Sequence, residues 1–260
     1  RDSFEEFVKQ FWSCVPGAGI LKWSWHMGIF CSELQTIAER VFASQPALYD
    51  EVVNVPPGTS KSTIFSILFQ PWVWTRMAHA RFIYATHTHD LVLSFADKSL
   101  QVMTSDKYRI FFPELELRRS AMGSFANNYG GDRLACTVGG KNPLGFHGHF
   151  LIGDDLIDPQ KAISEAELTT ARNFVENDLP TRVTDKQISV MIVIMQRLGR
   201  GDPTEVMLEG AKRDGARPVR HICLPCDDSW KITPEDELFE FPEGRKTFKQ
   251  KYSEGEGLLD

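Results

Sequence analysis

The stretch that decides the fold is residues 51–63, EVVNVPPGTSKST, an apolar run followed by a turn of small residues and a lysine. With glycine in place of Ser60, the turn would end in GTGKST, the end of a nucleotide-binding phosphate loop. The full pattern G-x-x-x-x-G-K-[ST] fails twice, because Val55 stands at its first glycine and Ser60 at its second. The residues alone allow two interpretations: a degenerate phosphate loop, or a Pro-Pro-Gly turn with a solvated lysine.

In the first interpretation, small residues let the backbone N–H groups of the turn point inward at phosphate oxygens, and the following helix adds the partial positive charge of its N-terminus. Lys61 would then contact the β- and γ-phosphates of a nucleotide, and Ser62 would ligate Mg²⁺. Serine at position 60 is small enough for such a loop, although glycine would adopt a positive φ at lower cost. The candidate phosphate-binding residues are Gly58, Thr59, Ser60, Lys61, Ser62 and Thr63.

Length and composition limit the class of protein. The chain has 260 residues, 42% of them hydrophobic, which suffices for one large α/β domain or two small ones. Its net charge of −6 is not that of a protein that coats nucleic acid, so any DNA contact should be local or shared among subunits. No apolar run reaches the ~18 residues of a membrane span. The five cysteines have no framework spacing and indicate a reducing intracellular compartment.

Apolar runs alternate with helical patterns along the chain. Helices are predicted at 4–11, where Ser3 and Glu6 suit a capping box, at 31–43, from 62, at 90–105 and at 166–179. Strands are predicted at 51–55, 81–86, 133–138, 149–154, 188–195 and 219–224, with 133–138 near an edge. Such a series predicts an α/β fold, a mostly parallel central sheet flanked by helices on both faces. Right-handed crossovers would place the carboxyl ends of the strands at one edge, where ligands bind in open α/β sheets.

Polar residues directly follow two further strands. Asp154 and Asp155 end the apolar run HFLIGDD. The first carboxylate would hold Mg²⁺ through a water molecule and the second would orient or deprotonate the attacking water, whereas the alternative is a helix N-cap. Gln196 follows VMIVIM and would sense the γ-phosphate, whereas the alternative is a solvated strand exit.

A RecA-like ASCE P-loop ATPase has three such features in this order on a parallel sheet. They are a loop with a lysine (the lysine loop, residues 58–63), acidic residues at the end of a later strand (Asp154 and Asp155) and a polar residue at the end of another (Gln196). This combination favours the degenerate phosphate loop over the ordinary turn. We therefore expect Lys61 to meet Asp154 and Asp155 around one magnesium-bound triphosphate, on neighbouring strands of the sheet.

Four ordered motifs carry a resemblance to a known family. They are VVNVPPGTSKST as Walker A, RFIYATHTHDLVLSFADKSLQVMTSDKYRIFFPEL, HGHFLIGDDLIDPQKAISEA as Walker B, and TRVTDKQISVMIVIMQRLGRGDPTEVMLE as a coupling motif. Over about residues 26–252, they resemble the ATPase domain of the large terminase subunit of tailed bacteriophages. The chain departs from the family at Gly58, where an arginine is usual, and at Ser60, where a glycine is usual.

The resemblance implies a motor that hydrolyses ATP with Mg²⁺ and thereby translocates double-stranded viral DNA into a procapsid. Asp155, Lys61 and Gln196 would be its catalytic residues, and Ser62 and Asp154 its metal ligands. It also implies a homo-oligomeric ring, usually a pentamer when docked on the portal protein, and a small terminase subunit that presents the DNA. Such a motor works without a membrane, in the cytoplasm of the infected bacterial host.

Further roles follow from the same resemblance. Residues 1–45 would form a helical segment that covers the nucleotide base, through residues 23–26 or Gln35. Residues 46–260 would form the ATPase core, ending at the linker to a C-terminal nuclease domain that is missing here. A trans-acting basic residue, the arginine finger of the family, would correspond to Arg133 or Lys141.

Two alternatives stay open. A helicase-like or other DNA-processing P-loop ATPase shares the core but should show a second RecA-like domain, for which the chain is too short. A nucleotide-dependent assembly module would bind ATP weakly through the Ser60 loop and serve oligomerisation. The pair His87 and His89 is open as well, because alternate strand residues can chelate a metal, or both are polar loop residues near the phosphates.

Overall fold

The computed structural model describes residues 1–121, 123–140 and 145–259, and an eight-stranded sheet lies at the centre of this part. Its strands are β1 (Asp50–Asn54), β2 (Arg81–Thr86), β3 (Leu117–Ala121), β4 (Ser124–Asn127), β5 (Asp132–Thr137), β6 (Phe150–Asp154), β7 (Val190–Met195) and β8 (Val219–Cys223). They lie in the order β3-β4-β5-β2-β6-β7-β1-β8, antiparallel among the first three strands and parallel from β5 to β8. The mostly parallel sheet predicted from the sequence is confirmed.

Helices cover both faces of the sheet. They are α1 (Phe4–Phe11), α2 (Trp25–Phe42), α3 (Phe69–Trp74), α4 (His89–Thr104), α5 (Asp106–Phe111), α6 (Glu165–Asn173), α7 (Pro203–Gly210) and α8 (Phe248–Ser253). Shorter turns are π-helical at Thr63–Leu68, before α3, and at Phe174–Asp178, and 3₁₀ at Trp12–Cys14, Pro159–Lys161 and Leu179–Arg182. A separate hairpin, β9 (Phe239–Phe241) with β10 (Gly244–Lys246), precedes α8. None of the described helices is long and apolar enough to cross a bilayer.

Side chains of the central strands alternate between two apolar layers, because successive residues of a strand point to opposite faces. In β6, Phe150 and Ile152 belong to the layer that includes α1 to α5, whereas Leu151 belongs to the layer of α6 and α7. All three are completely buried. Burial on both faces explains why the parallel strands have continuous apolar sequences.

Two features differ from the sequence-based expectation. The strand at Asp132–Thr137 is not near the sheet edge, because the hairpin of β3 and β4 extends the sheet beyond it. That hairpin has the sequences LRRSA and SFAN, without the apolar run that marks the other strands. The second helix begins at Trp25, well before the predicted start at residue 31. At the first helix the expected N-cap is present, since Ser3 Oγ accepts from Glu6 N at 3.2 Å.

Candidate active site

The turn after β1 contains two left-handed residues. Gly58 has a φ of 86° and Ser60 a φ of 62°. The hydroxyl of the buried Thr59 donates to Pro56 O at 2.9 Å and closes the turn on itself. The ring Nε2 of His26, near the start of α2, lies 3.1 Å from Thr59 O. The loop thus adopts at position 60 the conformation that glycine favours, although the residue there is serine.

Lys61 follows this loop and contacts both carboxylates singled out in the sequence. Its Nζ lies 2.5 Å from Asp155 Oδ2 and 3.8 Å from Asp154 Oδ1. The lysine side chain is only 9% exposed, so the contact takes place largely out of water. The structure therefore brings together the three charged side chains that we expected to surround a triphosphate.

The expectation that these groups lie on neighbouring strands is wrong. β7 lies between β1 and β6, so the two strand ends are two strand spacings apart, about 10 Å. The side chains still meet, because the helix that follows the loop reaches β6, where Ser66 Oγ lies 2.7 Å from Asp154 Oδ2. An extended lysine side chain spans the remaining distance. The chemistry needs the groups to be close, and adjacency of their strands is not required for that.

Asp154 ends β6 and is 1% exposed. Ser66 Oγ donates to its Oδ2, whereas Oδ1 is buried and has no hydrogen-bond donor among the described residues. Burial raises the pKa of Asp154 to about 6, against the opposing effect of the Lys61 ammonium. The nearby hydroxyl of Ser62 lowers the pKa of the same carboxylate. A buried oxygen without a donor beside a serine hydroxyl fits a site for Mg²⁺, which takes oxygen ligands.

Asp155 has a φ of 47°, which is strained for a residue other than glycine. Its N–H donates to Ile194 O on β7 at 2.9 Å, and its carbonyl accepts from His87 N at 3.2 Å and from His87 Nδ1 at 2.6 Å. Because a carbonyl only accepts, a neutral His87 carries its proton on Nδ1. Strained residues persist where surrounding contacts hold them, and they cluster at functional sites.

The role of His87 was not assigned from the sequence. It binds the backbone of Asp155, whereas His89 is the exposed first residue of α4. Among the described residues, neither belongs to a cluster of three metal-ligating side chains. The structure thus favours the interpretation of His87 and His89 as polar loop residues over the interpretation as a metal-chelating pair. The sequence feature that could have indicated this role is the position of His87 directly after β2, at the same edge of the sheet as the carboxylates.

Gln196 follows β7, between the strand of the lysine loop and the strand of the carboxylates. It is half-buried and lines a cleft of about 620 Å³ together with Asn54 and His221. Asn54 ties the ends of three strands, since its Nδ2 donates to Met195 O at 3.1 Å and its Oδ1 lies 2.8 Å from His221 Nε2. Gln196 therefore lies at the expected edge, and its contact with a γ-phosphate stays a prediction.

The prediction that Arg133 is the trans-acting basic residue is wrong. It lies on β5 with no exposed surface, and it donates to Ser66 O at 3.0 Å and to Gln70 Oε1 at 3.2 Å. Its guanidinium carbon lies 3.7 Å from the centre of the Tyr84 ring. A side chain enclosed in this way within its own core does not reach another subunit. The other candidate, Lys141, lies outside the described residues.

The residues expected to cover a nucleotide base lie in two different places. At the start of α2, His26 contacts the loop, and Trp25 Nε1 donates to Glu256 O at 3.1 Å. Gln35 lies further along α2 and binds α1, because its Oε1 accepts from Phe4 N at 2.9 Å. The start of α2 is therefore beside the loop, whereas Gln35 is engaged elsewhere.

The sheet and its two helical layers define an α/β fold with a charged cluster at the carboxyl edge of its parallel strands. Comparison with solved structures finds this fold in the HK97 bacteriophage large terminase, at 10% sequence identity and a TM-score of 0.53, over 88% of this chain. The chain spans 45% of the length of that terminase. Two structures of the Thermus phage P74-26 large terminase ATPase domain, one of them a mutant, match at 14% and 15% identity. Their TM-scores are 0.44 and 0.43, over 70% of this chain and 79% and 78% of theirs.

No protein-family model and no curated protein matches the sequence. At identities this low, the likeness to the HK97 protein concerns the fold. It confirms at the level of fold the resemblance to large terminases that the sequence motifs predict.

Proposed function

We propose that this chain is the ATPase motor domain of a phage large terminase, which hydrolyses ATP with Mg²⁺ to translocate double-stranded viral DNA into a procapsid. One observation carries the proposal: Lys61, Asp154 and Asp155 meet at the carboxyl edge of the sheet, beside a loop of small residues with two left-handed positions. The cluster supplies a cation for phosphate oxygens, a carboxylate for a metal and a second carboxylate for water. The shared fold with the HK97 large terminase supports the same assignment.

Each residue of the site would take one part of the reaction. The backbone N–H groups of residues 58–63 and the Lys61 ammonium bind the phosphates. Ser62 and Asp154 hold Mg²⁺, which neutralises charge on the phosphates when it is bound. Asp155 orients the attacking water, from a backbone position that its strand contacts keep fixed. Gln196 responds to the loss of the γ-phosphate and links it to movement.

The Lys61–Asp155 contact suggests how nucleotide binding would prepare the site. In the structure, the ammonium contacts the carboxylate that we assign to the attacking water. A triphosphate in the loop carries more negative charge than one carboxylate, so Lys61 would transfer its hydrogen bonds to the phosphate oxygens. Asp155 would then be free to accept a hydrogen bond from water. Its activation is thus coupled to the arrival of the substrate.

The wider assignments are part of the same proposal. Residues 1–45 cover the nucleotide base, with the contact of His26 to the loop as support, and residues 46–260 form the ATPase core. We expect no nuclease activity from the residues of this chain. The motor works as a homo-oligomeric ring, a pentamer when docked on the portal protein, with a small terminase subunit, in the cytoplasm of the infected bacterium.

A nucleotide-dependent assembly module is the second candidate function. The Lys61–Asp155 contact favours it, because the ammonium has to leave this carboxylate before it can bind a phosphate. Such a module would bind ATP weakly and hydrolyse it little. A helicase-like ATPase has no comparable observation in its favour.

Two substitutions separate these functions when ATP binding and single-turnover hydrolysis are measured independently. Lys61→Ala should lose hydrolysis with the fold intact, because no other side chain replaces the ammonium. Asp155→Asn should retain binding while hydrolysis slows by about 10²-fold or more, because the amide is a poor acceptor for the proton of water. Lys249→Ala is the matched control, since Lys249 is 67% exposed and only faces Glu235 at 3.6 Å on the surface.

Single-turnover conditions matter because a residue from a neighbouring subunit can limit steady turnover. Hydrolysis at the wild-type rate by Lys61→Ala would refute the role of the lysine. Unchanged hydrolysis by Asp155→Asn would refute the role of the second carboxylate. If the wild type binds ATP and does not hydrolyse it at concentrations where rings assemble, the assembly module is the better account.

A further inference from the structure

The helix after the lysine loop begins with the π-helical segment Thr63–Leu68, and side chains of the sheet bind two of its carbonyls. Tyr84 on β2 donates its hydroxyl to Phe65 O at 3.3 Å. Arg133 on β5 donates Nη2 to Ser66 O at 3.0 Å. Both donors are buried, so water does not compete for these bonds. The sheet therefore fixes the direction of two consecutive carbonyls in this segment.

Ser66 connects these contacts to the carboxylate at the end of β6. Its carbonyl accepts from Arg133, and its hydroxyl donates to Asp154 Oδ2 at 2.7 Å. Ser66 is completely buried. Asp154 Oδ1 is thereby left as the oxygen without a donor among the described residues. A displacement of the Ser66 backbone would therefore move the group that orients Asp154.

Arg133 is costly to bury in this position. Within residues 1–121, 123–140 and 145–259, no carboxylate forms an ion pair with it, and its Nε has no acceptor. Its polar partners are Gln70 Oε1 at 3.2 Å and Ser66 O, and the Tyr84 ring covers one face. Burial lowers the pKa of the guanidinium to about 10. An apolar side chain would avoid this penalty, so the hydrogen bonds to the helix are what arginine adds here.

We propose that Arg133 is a positioning residue for Asp154, acting through Ser66. The proposal rests on the proposed role of Asp154 as a Mg²⁺ ligand. Arg133 holds the Ser66 carbonyl, the Ser66 hydroxyl then points at Asp154 Oδ2, and Asp154 presents Oδ1 to the metal. Groups that orient a ligand in this way typically change metal affinity by 10–100-fold when they are removed. Loss of Arg133 should therefore weaken Mg²⁺ binding without removing any ligand.

A double-mutant cycle with Ser66→Ala and Arg133→Met tests this path. The measurement is the Mg²⁺ dependence of binding of a fluorescent ADP analogue, compared with its affinity without metal. Each single variant should need about tenfold more Mg²⁺, with metal-free affinity unchanged within about twofold. The double variant should match Ser66→Ala alone, because the two residues act on one carboxylate through one hydroxyl. Arg133→Lys, which keeps the charge and loses the forked donor, should fall between Arg133→Met and wild type.

Ser189→Ala is the matched control, because Ser189 is an equally buried serine whose hydroxyl accepts from Asp185 N at 3.1 Å, before β7 and away from Arg133. It should leave the Mg²⁺ dependence unchanged. Additive effects of Ser66→Ala and Arg133→Met, or equal losses with and without Mg²⁺, would overturn the proposal.

Amide hydrogen exchange provides a readout that needs no nucleotide. Arg133→Met should speed exchange at residues 64–70 selectively, and unchanged exchange there would overturn the proposal. If the wild type shows no Mg²⁺-dependent nucleotide binding, the proposed function fails. The exchange measurement still decides whether Arg133 holds the Ser66 segment, so the two failures can be distinguished.

Discussion

Replacing Ser60 by glycine should stabilise the protein, because the serine is held in a left-handed conformation with a φ of 62°. This conformation costs a residue with a side chain about 1–2 kcal/mol. Against this gain, glycine lowers the free energy of unfolding by about 0.4–1 kcal/mol, because it gives the unfolded chain more conformational freedom. The net gain is about 0.5–1 kcal/mol in the free energy of unfolding, or about 1–4 °C in Tm for a domain of this size.

Thermal and urea unfolding of the unliganded protein measure this gain, and two further variants control it. Ser60→Ala keeps the Cβ atom and should not be stabilised. Ser44→Gly changes an exposed serine with a φ of 51° outside the site, and it should gain as much stability as Ser60→Gly. Because glycine adopts the left-handed conformation of position 60 as readily as this serine, ATP affinity in Ser60→Gly should change by less than about threefold.

Two results would refute this reasoning. If Ser60→Gly is less stable than the wild type, position 60 is not left-handed in solution. If Ser60→Gly binds ATP more than about tenfold more tightly while Ser44→Gly does not, the loop of the natural protein is not preformed.

Three further substitutions test other parts of the site and core. Asp154→Asn removes a carboxylate whose pKa is raised by burial from 3.8 to about 6. Because the folded protein holds the proton of Asp154 more tightly than the unfolded chain does, the wild type becomes more stable as the pH falls through 6. The unliganded variant should exceed the wild type by at most about 3 kcal/mol at pH 8 in urea unfolding and match it near pH 4, and a constant difference would contradict this. Glu51 is completely buried on β1 with neither carboxylate oxygen hydrogen-bonded, and burial raises its pKa well above 4.5. The stability that Glu51 contributes is present below pH 4.5 and is lost as the pH rises. Glu51→Gln should therefore have a higher Tm than the wild type at pH 8 and the same Tm at pH 4. Equal Tm values of the two proteins at both pH values would contradict this. His87→Ala removes a donor to Asp155 O and should slow single-turnover hydrolysis by about tenfold with ATP affinity retained, and a loss of affinity alone would refute a positioning role.

The strands buried on both faces could be predicted because their sequences are continuously apolar. The prediction for β2 agrees residue by residue, and those for β1 and β5 are displaced by one residue. The β3–β4 hairpin could not be found in this way, because its short strands LRRSA and SFAN contain no continuous apolar run. The order of the strands depends on which helices cross which neighbours. For that reason, the position of β7 between β1 and β6 was not predicted.

At the candidate site, the sequence indicated the charged groups but not the residues that orient them. Lys61 and the two aspartates follow apolar strands, which is a local signal. Ser66 contacts Asp154 from a π-helical segment, and a 3.6-residue pattern does not reveal such a turn. Arg133 was interpreted as a residue available to a neighbour, because the resemblance to large terminases implies a trans-acting arginine in this part of the sequence. Its location in the core became evident only from the packing of β5 against the helix.

The central claim is that one triphosphate and one Mg²⁺ bind between the Lys61 loop and the carboxylates of Asp154 and Asp155. A structure of the chain with Mg²⁺ and a non-hydrolysable ATP analogue tests it most directly. We predict that in this complex Lys61 Nζ binds the β- and γ-phosphates and no longer contacts Asp155, from which it lies 2.5 Å in the present structure, with Mg²⁺ beside Ser62 and Asp154. A nucleotide bound elsewhere, or a Lys61–Asp155 contact that persists with the loop empty, would contradict the account.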